Sequence, residues 1–296
     1  MQIFSGSNSQ QLASDLANIY KATLGQIELS EFANHEARIW VKDEKIDKKV
    51  VVVQSFAGDP NKAIIEFLLI MDALKRSGAK HITAIIPWMG YCIQDKIFRQ
   101  GEPLSAKVVT NLIECSKPDK IITVDLHNET IQGFFSLPIV HLSATPVFID
   151  IFKKHNQIEC IVAPDRGSLK KTTLIAEALD LPIVFLNKKR DLVTGQVQIV
   201  SVDGDITGKK ALIMDDFIST GGTLIQTAEY LKSKGAKSIT AAITHHLYVE
   251  GVEEKLEHSQ IDQLLITNTI EPPKPYKHKN IDQEIISIAP LISRHL

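Results

Sequence analysis

One stretch of this sequence is written twice. Leu74-Lys75-Arg76-Ser77-Gly78-Ala79-Lys80-His81-Ile82-Thr83-Ala84 lines up with Leu231-Lys232-Ser233-Lys234-Gly235-Ala236-Lys237-Ser238-Ile239-Thr240-Ala241. A helix stopped by glycine and followed by a strand is a common arrangement, so a match this short also arises by chance. The flanking pattern, however, repeats with it. Val50 to Val53 is a β-branched run, Asp59-Pro60 supplies an N-cap and a first-turn proline, Ala63 to Lys75 reads as helix until Gly78, and His81 to Ile86 returns as a strand. In the second half Ala211 to Met214 reads as a strand, a glycine-rich loop follows, Leu224 to Lys232 is helical until Gly235, and Ser238 to Ile243 returns. Strands alternating with helices specify an α/β fold with mainly parallel sheets covered by helices, here in two related domains. The length, 296 residues, gives each of two domains roughly 150.

Composition excludes several alternatives. Hydrophobic residues at 44% and charged residues at 23% predict packed cores rather than a disordered or fibrous chain. A formal charge of −2 without a long basic run argues against a nucleic-acid-binding surface. Cys92, Cys115 and Cys160 are an odd number without C-x-x-C spacing, so neither a disulfide framework nor a zinc site is encoded. The start lacks a basic segment followed by an apolar core, and no stretch reaches ~18 apolar residues, so a cytoplasmic protein without membrane partners is expected.

The two copies differ where chemistry belongs. After its strand the first reads Gln54-Ser55-Phe56-Ala57-Gly58-Asp59, and the second reads Asp215-Asp216-Phe217-Ile218-Ser219-Thr220-Gly221-Gly222-Thr223. Ligands of open α/β sheets gather at the carboxyl ends of strands, which puts substrate in the second domain. Gly221 and Gly222 let several N–H groups converge, the hydroxyls of Ser219, Thr220 and Thr223 add donors, and a helix N-terminus favours an anion. Asp215 and Asp216 would repel a phosphate but can accept hydrogen bonds from vicinal ribose hydroxyls. Together these describe a ribose 5-phosphate site; a plain strand-to-helix turn with a capping hydroxyl is the bland alternative. No G-x-x-x-x-G-K-[ST] loop occurs.

This segment resembles the phosphoribosyl-pyrophosphate-binding motif shared by type I phosphoribosyltransferases and by the ribose-phosphate pyrophosphokinase (phosphoribosyl pyrophosphate synthetase) family. Gly90-Tyr91-Cys92-Ile93-Gln94-Asp95-Lys96, then Arg99 and Gly101-Glu102-Pro103, together with Val124-Asp125-Leu126-His127 and Gln132-Gly133-Phe134-Phe135, resemble the synthetase family alone. The resemblance implies two tandem phosphoribosyltransferase-like (type I) domains, residues 1–145, completed by 284–296, and 146–283. It implies a ribose-phosphate diphosphokinase, with ATP and ribose 5-phosphate as substrates and Mg2+ as cofactor. The second reading is a catalytically silent regulatory homologue.

The family pattern also distributes roles. Lys188 and Arg190, which follow the apolar strand Leu181 to Phe185, become catalytic residues at the base of a flexible loop with Thr194-Gly195 at its tip; by themselves they are a solvated charge run. His127 would bind ATP and, with Asp165, hold the metal, although a histidine at a strand end is more often structural and Asp165 reads equally as a surface turn. Gln94, Asp95 and Arg99 would contact ATP. Phe32, Asn34 and Glu36 resemble an adenine-binding loop reaching a neighbouring subunit, against the equal alternative of a helix-to-strand connection; this implies self-association to at least a dimer, with a hexamer as the larger option. Four positions depart from the pattern: His35 and Ser168 replace glycines, Ile93 an ATP-contacting arginine, and Ser219 an aspartate.

Overall fold

The computed structural model describes residues 1–155, 158–164, 168–190, 197–274 and 276–296. It divides into two compact units, one of residues 1–144, 268–273 and 287–296, the other of residues 145–267 and 274–286. Each is a layered α/β body with its own core.

The first unit is built from β1 (Gln2–Ser5), α1 (Gln10–Tyr20), β2 (Thr23–Leu24), β3 (Ile27–Glu31), β4 (Ala37–Val41), β5 (Lys49–Val53), α2 (Pro60–Arg76), β6 (His81–Ile86), α3 (Ser105–Cys115), β7 (Lys120–Val124) and β8 (Ile139–Leu142). Its main sheet runs β2-β1-β5-β6-β7-β8 and every pairing is parallel. Four consecutive valines make β5, all buried, as a strand covered on both faces requires. β3 and β4 form a separate antiparallel hairpin.

The second unit contains α4 (Thr145–His155), β9 (Cys160–Ala163), α5 (Leu169–Leu179), β10 (Ile183–Arg190), β11 (Val197–Asp203), β12 (Lys210–Ile218), α6 (Gly222–Ser233), β13 (Ser238–His246), α7 (Val252–Glu257), β14 (Gln263–Thr267) and β15 (Asp282–Ile286). Its sheet runs β11-β10-β9-β12-β13-β14-β15, parallel except for the β10–β11 hairpin. The last helix, α8 (Ala289–Ser293), belongs to the first unit.

The repeated sequence is a repeated hydrogen-bond pattern. The N–H of Ala79 donates to Leu74 O at 3.0 Å, that of Lys80 to Lys48 O at 2.9 Å, and Ile82 N–H to Asp119 Oδ2 at 2.7 Å. In the second unit Ala236 donates to Leu231 O at 3.1 Å, Lys237 to Lys209 O at 2.8 Å, and Ile239 to Asp262 Oδ2 at 2.7 Å. Gly78 and Gly235 take φ of 108° and 89°, a left-handed region that side chains avoid, which is why both copies keep glycine. In each unit this shoulder seats the helix on the central strand pair, β5–β6 or β12–β13.

Strands run further than side-chain polarity suggests. β12 continues past Met214 through Asp215 and Asp216 to Ile218, because its backbone keeps pairing with β13, Phe217 facing His245 and Ile218 facing His246. β10 likewise continues past Phe185 to Arg190, held by β11, with a register shift between Asn187 and Lys188. Behind β13 lies a buried polar cluster. His246 Nδ1 accepts the Tyr248 N–H at 3.0 Å, its Nε2 is 3.3 Å from Glu253 Oε1, and the His278 imidazole sits between Glu253 Oε2 at 2.9 Å and Glu257 Oε2 at 3.0 Å. Among the described residues no helix is long and apolar enough to cross a membrane, and all three cysteines are free.

Candidate functional site

Buried apolar residues of β12, Ala211 to Met214, lie between β9 and β13 and carry the chain to the carboxyl edge of the sheet. There Asp215 and Asp216 emerge partly exposed, still on the strand. The turn to α6 is made at Gly221, whose φ is 75° and whose Cβ, were there one, would lie 3.3 Å from Ile225 Cδ1 and 3.4 Å from Val252 Cγ2. The left-handed backbone disfavours any side chain, and a Cβ would also press on Ile225. Asp215, Phe217, Ile218, Ser219, Thr220, Gly221, Gly222 and Thr223 line one pocket of about 240 Å³. Every ribose 5-phosphate candidate from the sequence except Asp216 lines that pocket, and Asp216 adjoins it in the chain.

The helix starts of the two copies differ in their caps. At α2 the Asp59 side chain accepts the N–H groups of Asn61 at 3.0 Å and Lys62 at 3.1 Å. At α6 the N-cap is Gly221 and no side chain caps the first turn. First-turn N–H groups that no side chain satisfies, at the positive end of a helix dipole, attract an anion. In the first copy the residue after the strand is spent on protein contacts: Gln54 donates from Nε2 to Glu66 Oε1 at 2.7 Å, and Asn8 N–H donates to Gln54 Oε1 at 3.2 Å, with Gln54 fully buried.

The acidic pair has a partner that the sequence did not announce. Lys171 in α5 places Nζ 2.7 Å from Asp216 Oδ1, and Asp215 Oδ1 accepts the Asp216 N–H at 2.8 Å. Nothing in the spacing of Lys171 signals this, because the ion pair joins two elements that are far apart in the chain.

In the first unit the first turn of α2 gathers two candidate segments. Asn61 accepts the Tyr91 hydroxyl, and Lys62 pairs with Glu31 at the end of β3. Phe32, Asn34 and Glu36 form the turn of the β3–β4 hairpin, not a helix-to-strand connection. Phe32 N–H donates to Glu36 O at 2.9 Å, Glu36 N–H to Asn34 Oδ1 at 3.3 Å, and the Arg38 guanidinium lies 5.8 Å from the Phe32 ring centre. Phe32 is 52% exposed, so about half of its surface is accessible to a partner.

Gln94 and Asp95 spend acceptors on protein: Gln94 Oε1 takes the Ser105 hydroxyl, and buried Asp95 takes Asn128 Nδ2 at 2.7 Å. That second bond ties the 90s loop to the residue after His127, which is exposed beyond the end of β7. Glu102 Oε2 accepts the N–H groups of Phe98 and Arg99, both at 3.0 Å, and so closes the loop that carries Arg99. Asn128 did not stand out by residue type, since its work is to hold the Asp95 carboxylate, and Glu102, which lies within the family signature, closes its loop through backbone N–H groups. Asp165 lies outside the described residues, as do the side chains of Lys188 and Arg190 and the loop tip at Thr194-Gly195. Among the described residues no group of three or more His, Cys, Asp or Glu is arranged to hold a metal ion.

Comparison with known proteins resolves the family. The model described as the N-terminal domain of ribose phosphate pyrophosphokinase matches residues 1–116, and the phosphoribosyl transferase domain model matches residues 144–279. The ribose-phosphate pyrophosphokinase of Aquifex aeolicus is 35% identical over 294 residues, 99% of this chain and 93% of that protein. The chain belongs to the ribose-phosphate pyrophosphokinase family. The Bacillus subtilis relative is 34% identical over 294 residues, covering 99% of this chain and 92% of its own. The crystal structure of phosphoribosylpyrophosphate synthetase from Mycobacterium smegmatis superposes with a TM-score of 0.87 at 31% identity, over 99% of this chain and 96% of that one.

Within this family frame the four departures acquire physical meaning. His35 sits at φ 67°, the left-handed conformation in which a glycine would be unstrained. Ser168 takes φ −77°, an ordinary helical value, so the loss of glycine there costs no backbone strain. Ser219 lines the phosphate-type pocket and keeps a hydroxyl donor. Ile93 is 44% exposed.

Proposed function

We propose that this protein transfers the β,γ-diphosphoryl group of ATP to the anomeric hydroxyl of ribose 5-phosphate, giving phosphoribosyl pyrophosphate and AMP for nucleotide biosynthesis. The observation that carries the acceptor half is the α6 N-terminus, without a side-chain cap, following directly on an acidic pair at the end of β12. The 5-phosphate would rest on the N–H groups and hydroxyls of residues 219–223, and Asp215 and Asp216 would accept hydrogen bonds from the ribose hydroxyls. The anomeric oxygen then attacks the β-phosphorus as the bond from that phosphorus to the α-phosphate oxygen breaks, AMP leaves with that oxygen, and the hydroxyl proton passes to solvent. No covalent enzyme intermediate is needed, so catalysis rests on positioning and charge.

For the ATP half, Phe32, Asn34 and Glu36 would hold adenine while Gln94, Asp95, Arg99 and His127 contact the nucleotide. Lys188 and Arg190 would offset negative charge on the transferring group. Magnesium would neutralise phosphate charge when bound. An exposed imidazole at His127 and a carboxylate at Asp165 suit this hard ion only if phosphate oxygens and water complete its shell. The hairpin turn serving a neighbouring subunit makes a dimer the smallest active form, and the cytoplasm is the proposed compartment.

Incubating the purified protein with ribose 5-phosphate, ATP and magnesium, with and without inorganic phosphate, should yield AMP and phosphoribosyl pyrophosphate in equal amounts. Production of neither overturns the reading. Lys188→Ala should lower kcat by about a hundredfold or more with little change in ribose 5-phosphate affinity; equal losses in both would remove Lys188 from the transition state.

A further inference from the structure

The acidic pair poses an electrostatic problem. Asp215 and Asp216 are consecutive, both partly withdrawn from water, and as a pair of carboxylates they would meet a sugar that itself carries a phosphate. Like charges this close repel each other and an incoming phosphate unless a cation offsets them. Lys171 is that cation among the described residues: its Nζ is 2.7 Å from Asp216 Oδ1, with the lysine side chain 22% exposed and the aspartate 32%. The contact fixes one carboxylate oxygen. Oδ2 of Asp216 has no partner among the described residues and stays available.

We propose that Lys171 is the positioning residue for the acceptor sugar. It pins Asp216 through Oδ1, so that Oδ2 is presented to a ribose hydroxyl, and it offsets charge that would otherwise repel the phosphorylated sugar. The inference rests on the reading of this pocket as a ribose 5-phosphate site and adds to it a residue that never touches substrate. An exposed ion pair would contribute little; this one is about three-quarters withdrawn on the lysine side and joins α5 to the end of β12. The pair therefore sets geometry at the pocket as well as charge.

The test is steady-state kinetics on the full chain. K171M should raise KM for ribose 5-phosphate about tenfold, as expected for losing a charged hydrogen bond, while kcat and KM for ATP change less than about twofold. K171R should restore most of the loss. In a D216N background K171M should add much less to KM for ribose 5-phosphate than it does in the wild type, since the lysine reaches the sugar site through that carboxylate. An unchanged KM in K171M, equal losses in kcat and in ATP affinity, or additive effects in the double variant would each overturn the proposal. If K171M melts below the assay temperature, K171Q takes its place in the same cycle. A wild-type protein that makes neither AMP nor phosphoribosyl pyrophosphate overturns the functional reading and this inference together; an active wild type with an indifferent K171M overturns the inference alone.

Discussion

Ile93 presents a branched hydrocarbon to water, 44% exposed, at a position where the family pattern leads one to expect an ATP-contacting arginine. A guanidinium brings a permanent charge and a fork of donors that isoleucine lacks. Ile93→Arg should therefore lower KM for ATP several-fold and leave KM for ribose 5-phosphate unchanged, measured by varying each substrate in turn. His35, at φ 67°, makes a second residue-scale prediction. His35→Gly should fold with nearly unchanged stability, whereas His35→Val should lose about 1–2 kcal/mol in urea melts, because a β-branched side chain resists the left-handed region. Legibility at this scale follows sequence distance. Asp215 to Thr223 could be read as a site because the residues are contiguous and their types state their chemistry. Lys171 could not, since its meaning depends on an oxygen supplied by another element.

α2 and α6 occupy equivalent places in the repeat and begin differently. Asp59 caps α2 with two bonds, so Asp59→Ala should cost about 1 kcal/mol, read as a lowered urea midpoint with an unchanged slope. α6 has no such side-chain cap to lose. The sequence located these helices and their glycine stops well, because caps and stops are written in single residues. It ended β12 at Met214 and β10 at Phe185, since charges follow. The ladders with β13 and β11 carry both strands onward through backbone bonds that hydropathy does not encode. The adenine-type loop proved to be a hairpin turn: Ile27, Leu29, Ile39 and Val41 alternate along two short strands and pack against the first core, a period-two signal too brief to stand out beside the longer elements.

At the scale of the whole molecule, each unit stands on its own core, and the second carries a buried titratable cluster. Burial, reinforced by the neighbouring His278, pushes His246 down from 6.5 to about 4. A histidine with a depressed folded pKa contributes stability above about pH 6.5 that is lost as pH falls toward 4. Glu253, raised by burial, titrates with the opposite sense, and His278, Glu257 and Tyr248 face the same space. Comparing His246→Asn with the wild type isolates the histidine. The variant should lose less stability than the wild type between pH 6.5 and 4, by up to about 3 kcal/mol. Parallel stability curves would assign the acid sensitivity elsewhere.

The start of α6 has a consequence for how such a protein can vary. An anion held by main-chain N–H groups is held by atoms that every residue but proline possesses, so alanine scanning through 219–223 registers the hydroxyls and misses the remaining donors. Replacing Gly221, held at a φ of 75°, would strain the backbone of the loop and so report on the proposed main-chain donors. If the loop binds phosphate as proposed, its side chains could change, as Ser219 illustrates, without touching the main-chain donors.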